Sequence, residues 1–118
     1  MTLEEYFSTG PERERPIFEA VMAHLDTLGP THVEPVSVGI FVKKDGSFLE
    51  LRPMRDWVAL SFSLARTVHS TKISRKVMQY HGRYYHWVNL RGPDDVDDEV
   101  RDWLTEAYLM STDPAGDE

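Results

Sequence analysis

The chain has 118 residues, no cysteine and a net charge of −7, and 41% of its residues are apolar. A chain of this length forms one domain, because two domains would each be too small to bury a stable core. The lack of cysteine excludes disulfides, thiolate metal sites and cysteine nucleophiles, and the acidic balance argues against nonspecific coating of DNA. No apolar run approaches the roughly 20 residues of a membrane-spanning helix, so we expect a cytoplasmic protein without membrane contact.

Two helices are predicted at the start of the chain. Thr2 and Glu5 have the spacing of a capping box, which predicts a short first helix. Apolar residues then recur at helical spacing until Gly29-Pro30, which is a strong stop signal. The second helix is therefore predicted over residues 13–28.

The middle of the chain alternates apolar and polar residues with the period of two that is typical of strands. A strand from Val36 to Val42 is followed by Asp45-Gly46, a dipeptide that favours a tight hairpin turn with positive φ at both residues. A further turn is predicted at Gly82-Arg83, and residues 65–75 have the composition of a polar loop. The remaining predicted strands cover residues 47–52, 57–64, 77–81 and 84–90.

The last predicted element is an amphipathic helix from about Asp95 to Met110. Its apolar stripe includes Trp103, and five acidic residues crowd its start, where carboxylates cap free N–H groups and match the helix dipole. Residues 111–118 are expected to form a flexible acidic tail. The sequence thus predicts a single α+β domain over residues 1–110, with a mainly antiparallel sheet of about five strands, N-terminal helices and this C-terminal helix packed on the sheet.

The C-terminal part of the chain resembles a known family. The residues that carry the resemblance are His86-x-Val88-x-Leu90, Pro93-Asp94-Asp95-Val96-Asp97 and Trp103-Leu104-x-Glu106-Ala107-Tyr108. They are similar to the C-terminal signature of the domain of unknown function 5655 family, and a looser similarity extends back to about Thr2. The resemblance implies a small bacterial domain, stand-alone or appended, and the fusion of some members to nuclease-like modules suggests an accessory role. It implies no catalytic residue.

The strongest functional signal is an interval without acidic residues. Residues 57–93 contain no Asp or Glu, although the chain has 20 of them. The interval carries six cations and three histidines, namely Arg66, Lys72, Arg75, Lys76, Arg83, Arg91, His69, His81 and His86. Such a stretch could hold an anion, or it could match the charge of the protein's own acidic helices. The sequence leaves both interpretations open.

An anion-binding site is the interpretation that we develop. Arginine can hold a carboxylate or phosphate through two parallel hydrogen bonds, and binding groups usually lie on loops of a rigid sheet. The predicted ligand-binding residues are Arg66, Lys72, Arg75, Lys76, Arg83, Tyr84 and His86. The structural alternative is a solvated edge hairpin whose cations discourage strand pairing. For His86 that alternative is a buried neutral histidine bonded to a carbonyl or a tyrosine.

Catalytic and metal sites have little support in the sequence. There is no helical histidine pair, no H-E-x-x-H, no G-x-S-x-G and no glycine-rich phosphate loop, so we predict no metal, no cofactor and no catalytic residue. The predicted function is a non-catalytic module that binds a small anionic ligand or a partner protein. Two alternatives stay open. One is contact with a single nucleic-acid strand, which the net charge disfavours, and the other is an enzyme with His86 or His81 as a general base.

Overall fold

The computed structural model describes residues 1–111, which form an antiparallel sheet with helices packed against it. The elements are α1 (Leu3–Phe7), α2 (Glu14–Leu25), β1 (His32–Val36), β2 (Gly39–Lys43), β3 (Ser47–Pro53), β4 (Val58–Leu64), β5 (Met78–Tyr80), β6 (Arg83–Leu90), a 3₁₀ turn (Pro93–Asp95) and α3 (Asp98–Met110). The predicted α+β class and antiparallel sheet are confirmed. In this part of the chain, no helix is both long and apolar enough to cross a membrane.

The sheet has six strands in the order β1-β2-β3-β4-β6-β5, one more than the predicted count of about five. The extra strand is β1, which shares only Val36 with the segment predicted as one strand from Val36 to Val42, and the rest of that segment contains a turn and most of β2. Val36 of β1 lies opposite Gly39 of β2, so Ser37 and Val38 form a two-residue connection. Apolar residues continue to alternate through this connection, and the alternation hides the turn from the sequence pattern.

The tight turn with positive φ lies at a different hairpin from the predicted one. Among the described residues, positive φ occurs at Gly29, His81 and Gly82, and so not at Asp45-Gly46. The connection between β2 and β3 is instead a three-residue loop with a shift of register beside it. His81 and Gly82, with φ of 51° and 75°, connect β5 to β6. This two-residue turn begins one residue before the predicted Gly82-Arg83.

Helix α3 packs on one face of the sheet, and α2 packs beside it. The ring of Trp103 in α3 lies 5.7 Å from the ring of Phe62 in β4, at an interplanar angle of 21°. On α2, Ile17, Val21 and Leu25 are completely buried along one side. Burial of each such side chain contributes about 1.5–3 kcal/mol. The core therefore fixes the orientation of α3, and with it the position of the acidic residues that α3 carries.

The helix ends differ from the predicted ends by a few residues. Helix α2 ends at Leu25, and the predicted last turn to residue 28 is a non-helical turn. Helix α3 begins at Asp98, three residues later than predicted, because Asp97 is its N-cap. The Asp97 carboxylate accepts a hydrogen bond from the Val100 N–H at 3.0 Å. That bond lowers the pKa of Asp97, since it stabilises the charged form.

The described chain ends in contact with the sheet. Ser111 is buried, and its hydroxyl donates a hydrogen bond to the Gly46 carbonyl at 3.0 Å. This bond joins the end of α3 to the loop between β2 and β3. Apart from Ser111, the predicted acidic tail over residues 111–118 lies outside the described residues.

Candidate functional site

A groove of about 620 Å³ lies beside the long loop that connects β4 to β5. Its walls come from that loop, from β5 and from the start of β6. The lining residues are Thr67, Val68, His69, Ser70, Ile73, Arg75, Lys76, Val77, Gln79 and Tyr84. Among the described residues that line it, the charged side chains are cations and none is a carboxylate. We call this feature the basic groove.

Backbone contacts fix the end of the loop against β6. Ile73 forms an antiparallel bridge with Val88, and the Ser74 N–H donates to the Trp87 carbonyl at 2.8 Å. The guanidinium of Arg75 then lies 4.9 Å from the centre of the Trp87 ring. A cation over an indole ring is attracted by the ring quadrupole, with about 0.5–1 kcal/mol at exposed sites. Arg75 lines the basic groove, but Trp87 does not: it lines a neighbouring pocket that Arg75 shares with Glu50.

His86 lies beneath the groove and is completely buried. Its ring stacks on Phe62, with 5.3 Å between ring centres. Nε2 accepts a hydrogen bond from the Val68 N–H at 3.1 Å, so the proton is on Nδ1, which donates to the Tyr84 carbonyl at 3.0 Å. Burial lowers the pKa of His86 and keeps the ring neutral. The structural alternative for His86, a buried histidine bonded to a carbonyl, is therefore confirmed.

Two of the predicted ligand-binding cations contact α3. The Arg66 guanidinium donates to both carboxylate oxygens of Glu106, each at 2.9 Å. Lys72 Nζ lies 3.0 Å from Asp97 and 2.8 Å from Glu99. The second interpretation of the acid-free interval, charge matching to an acidic helix, thus applies to these two residues. All three ion pairs join the loop that forms the groove wall to α3 or to its N-cap.

The basic groove brings together three of the predicted site residues, namely Arg75, Lys76 and Tyr84. Arg83 is not among the lining residues, and its guanidinium donates to the Ser63 hydroxyl at 3.4 Å. The predicted set omits seven groove residues, of which four are polar and three are apolar: Thr67, His69, Ser70, Gln79, Val68, Ile73 and Val77. The only sequence signal for the polar ones is the polar composition of the loop, which does not include Gln79 of β5, and the place of His69 in the acid-free interval.

A second polar site, which the sequence analysis missed, lies between α1 and α2. Glu14 is buried, and its Oε2 accepts a hydrogen bond from the Tyr6 hydroxyl. A signal for this site does exist. Glu14 stands three and four residues before Ile17 and Phe18, so helical periodicity places it on the buried side of α2.

A family model described as Domain of unknown function (DUF5655) matches residues 3–111. The match covers nearly all of the chain, and the chain belongs to this family. The resemblance seen in the C-terminal motifs is therefore confirmed. No curated protein and no solved structure matches the chain. The family description names no activity, so the function has to be inferred from the geometry of the sites.

Proposed function

We propose that the chain is a non-catalytic module that binds a small organic anion in the basic groove. The observation that carries the proposal is the composition of that groove: Arg75 and Lys76 line it, and its described lining includes no acid. Hydrogen bonds from such cations to a carboxylate or phosphate are roughly twice as strong as neutral ones. A volume of about 620 Å³ also lies within the range of roughly 300–1,000 Å³ that is typical of small-molecule sites.

The uncharged lining favours an organic anion over a bare inorganic ion. Val68, Ile73 and Val77 offer apolar surface to a carbon skeleton, while Gln79 and Tyr84 offer directional hydrogen bonds. Ligand sites typically combine a mainly apolar wall with a few polar groups that fix orientation. We therefore assign the anionic group to the two cations and the remainder of the ligand to the apolar wall.

Three further members of the predicted site support the groove indirectly in this proposal. Arg66 and Lys72 tether the two ends of the segment 67–71 to α3 through their ion pairs. His86 holds the same segment through its bond to the Val68 N–H. A histidine with both ring nitrogens bonded has no free nitrogen for proton transfer, which favours binding over catalysis.

The proposal is tested by melting temperatures in matched salts. Phosphate and a small aromatic carboxylate such as benzoate should raise the melting temperature above its value in chloride at equal ionic strength. A ligand that binds the folded state stabilises it by mass action, whereas screening by salt acts alike for all of these anions. The double reversal Arg75→Glu with Lys76→Glu should remove the difference between anions. Benzoate should exceed phosphate if the apolar wall takes part.

The matched control is Arg55→Glu with Arg83→Glu, which changes the net charge equally but lies outside the groove lining. It should leave the difference between anions intact. Equal shifts for all anions, or loss of the difference in the control variant, would overturn the proposal. The melting temperature is also measured with a single-stranded oligonucleotide, because Tyr80 on the adjacent hairpin is 62% exposed and could stack on a base. A larger shift with the oligonucleotide, removed by Tyr80→Ala, would favour the nucleic-acid alternative.

A further inference from the structure

A second cavity, of about 350 Å³, lies where the link between α1 and α2 meets the β1–β2 turn and the end of β3. Its charged side chains among those described are Glu5 and Glu14, opposite in sign to those of the basic groove, and Met1, whose α-ammonium group acts on Glu5, also lines it. Pro11, Pro53 and Met54 form an apolar part of its wall. The cavity therefore combines two carboxylates with a surface suited to a short hydrocarbon chain. We call it the acidic cavity.

Glu14 is a buried carboxyl that uses only part of its hydrogen-bonding capacity. Glu14 is 1% exposed, and its Oε2 accepts a hydrogen bond from the Tyr6 hydroxyl. Within residues 1–111, Oε1 has no hydrogen-bond partner. A buried polar atom without a partner costs about 1–3 kcal/mol, and more when it is charged. Such atoms are rare in native proteins, and each calls for an explanation, of which a bound partner is one.

Among the described residues, no neighbouring donor is bonded to Oε1, and Gly10 covers it. Arg13, the adjacent cation, donates instead to the Arg55 carbonyl at 3.0 Å. Gly10 lies over the carboxyl, and a Cβ at that position would be 3.0 Å from Oε1. The residue that covers this oxygen thus has no side chain, and it belongs to an exposed link between two helices. A ligand in the acidic cavity would reach Oε1 only if that link shifted.

We propose that the acidic cavity binds a primary ammonium group on a short apolar chain, with Glu14 Oε1 as the acceptor. An ammonium group offers three N–H donors and a charge that matches the two carboxylates. The proline rings and Met54 contact the hydrocarbon part. Tyr6 is a positioning residue, since its hydroxyl holds Glu14 in place through Oε2. Burial raises the pKa of Glu14, as is usual for a carboxyl whose charge is incompletely compensated.

The test uses n-butylammonium, with n-butanol and butyrate as probes of equal length. Titrations followed by amide NMR should show saturable binding of butylammonium at Gly10 and Glu14, and no saturable binding of the other two. Glu14→Gln keeps the side-chain size and removes the charge, and it should weaken binding at least ten-fold, as the loss of one charge-assisted bond does. Gly10→Ala should also weaken binding, because the added Cβ crowds Oε1.

Glu12→Gln is the matched control, because Glu12 is an exposed carboxylate of the same link and does not line the cavity. It should bind like the wild type. Nα-acetyl-lysine amide is a further probe, and binding as tight as that of butylammonium would identify the lysine of a partner protein as the source of the amine. Equal binding of butanol, or unchanged affinity in both Glu14→Gln and Gly10→Ala, would overturn the proposal. If Glu14→Gln fails to fold, Gly10→Ala decides alone.

Discussion

The cations of the acid-free interval differ in what each side chain contacts. Arg66 is bonded to Glu106, whereas Arg75 lies over the Trp87 ring and lines the basic groove. The formal charge is the same in both cases, but a cation that already holds a carboxylate has fewer donors left for a ligand. The partner of Arg66 lies 40 residues away in sequence. Charge patterns along the sequence therefore locate the cations but do not identify those that can bind a ligand.

At the same scale, we expect Trp103→Ala to lower the free energy of unfolding by about 3–5 kcal/mol, as large aromatic truncations in cores do. The residue is 6% exposed and its ring stacks on Phe62. Urea denaturation followed by circular dichroism measures the change. Trp57→Ala is the control, because Trp57 is only half-buried and lies beneath Arg91 at the surface. Equal losses in the two variants would show that Trp103 does not anchor α3 to the sheet.

Among the secondary-structure elements, those with a strong local signal were predictable and those fixed by distant contacts were not. The capping box at Thr2 and Glu5 and the strand predicted over residues 57–64 both appear in the structure, although β4 is buried on both faces and its burial does not alternate. The turn at Ser37-Val38 was missed, because neither residue has the positive φ that calls for glycine or asparagine. The residue after this turn is Gly39, and it is a glycine because of close packing: a Cβ there would lie 2.6 Å from the Leu51 carbonyl oxygen of the neighbouring strand.

The β5–β6 hairpin supplies a test of turn conformation with a matched pair of glycines. Gly82 has a φ of 75°, Gly92 has a φ of −163°, and a Cβ at either position would meet no atom within 4 Å. Gly82→Ala should therefore destabilise the protein by about 1 kcal/mol through backbone strain alone. Gly92→Ala should be neutral or stabilising by roughly 0.4–1 kcal/mol, because it restricts the unfolded chain. Thermal unfolding measures both. A neutral Gly82→Ala would contradict the left-handed turn.

In the described part of the chain, two of the cavities are lined by charged side chains of opposite sign. The basic groove lies beside the β4–β5 loop, and the acidic cavity lies between α1 and the end of β3. The sequence could predict the first in outline, since an interval without acids in an acidic chain is visible in one dimension. It could not predict the second, because one buried carboxyl among the many acids of the N-terminal part has no compositional signal. Only its place on the buried side of α2 distinguishes Glu14.

At the scale of the whole domain, His86 should make the folded state less stable as the pH is lowered from about 6.5. In the unfolded chain a histidine titrates near 6.5, whereas burial lowers the pKa of His86 in the folded state. Between those two pKa values the unfolded state binds a proton that the folded state does not, so the free energy of unfolding decreases with decreasing pH. Protonation of Nε2 would also break its bond with the Val68 N–H.

The raised pKa of Glu14 acts in the opposite direction, because the folded carboxyl binds its proton at a higher pH than the unfolded one. A comparison of variants separates the contribution of His86 to the pH dependence of stability from that of Glu14. Urea midpoints between pH 7.5 and pH 5 should depend less on pH in His86→Gln, whose amide keeps an acceptor for Val68 but does not titrate. His69→Gln, at an exposed position, should retain the slope of the wild type. If the urea midpoints of the wild type and of His86→Gln changed equally with pH, His86 would bind a proton equally well in the folded and the unfolded state. That result would contradict the buried, neutral and hydrogen-bonded state described for His86.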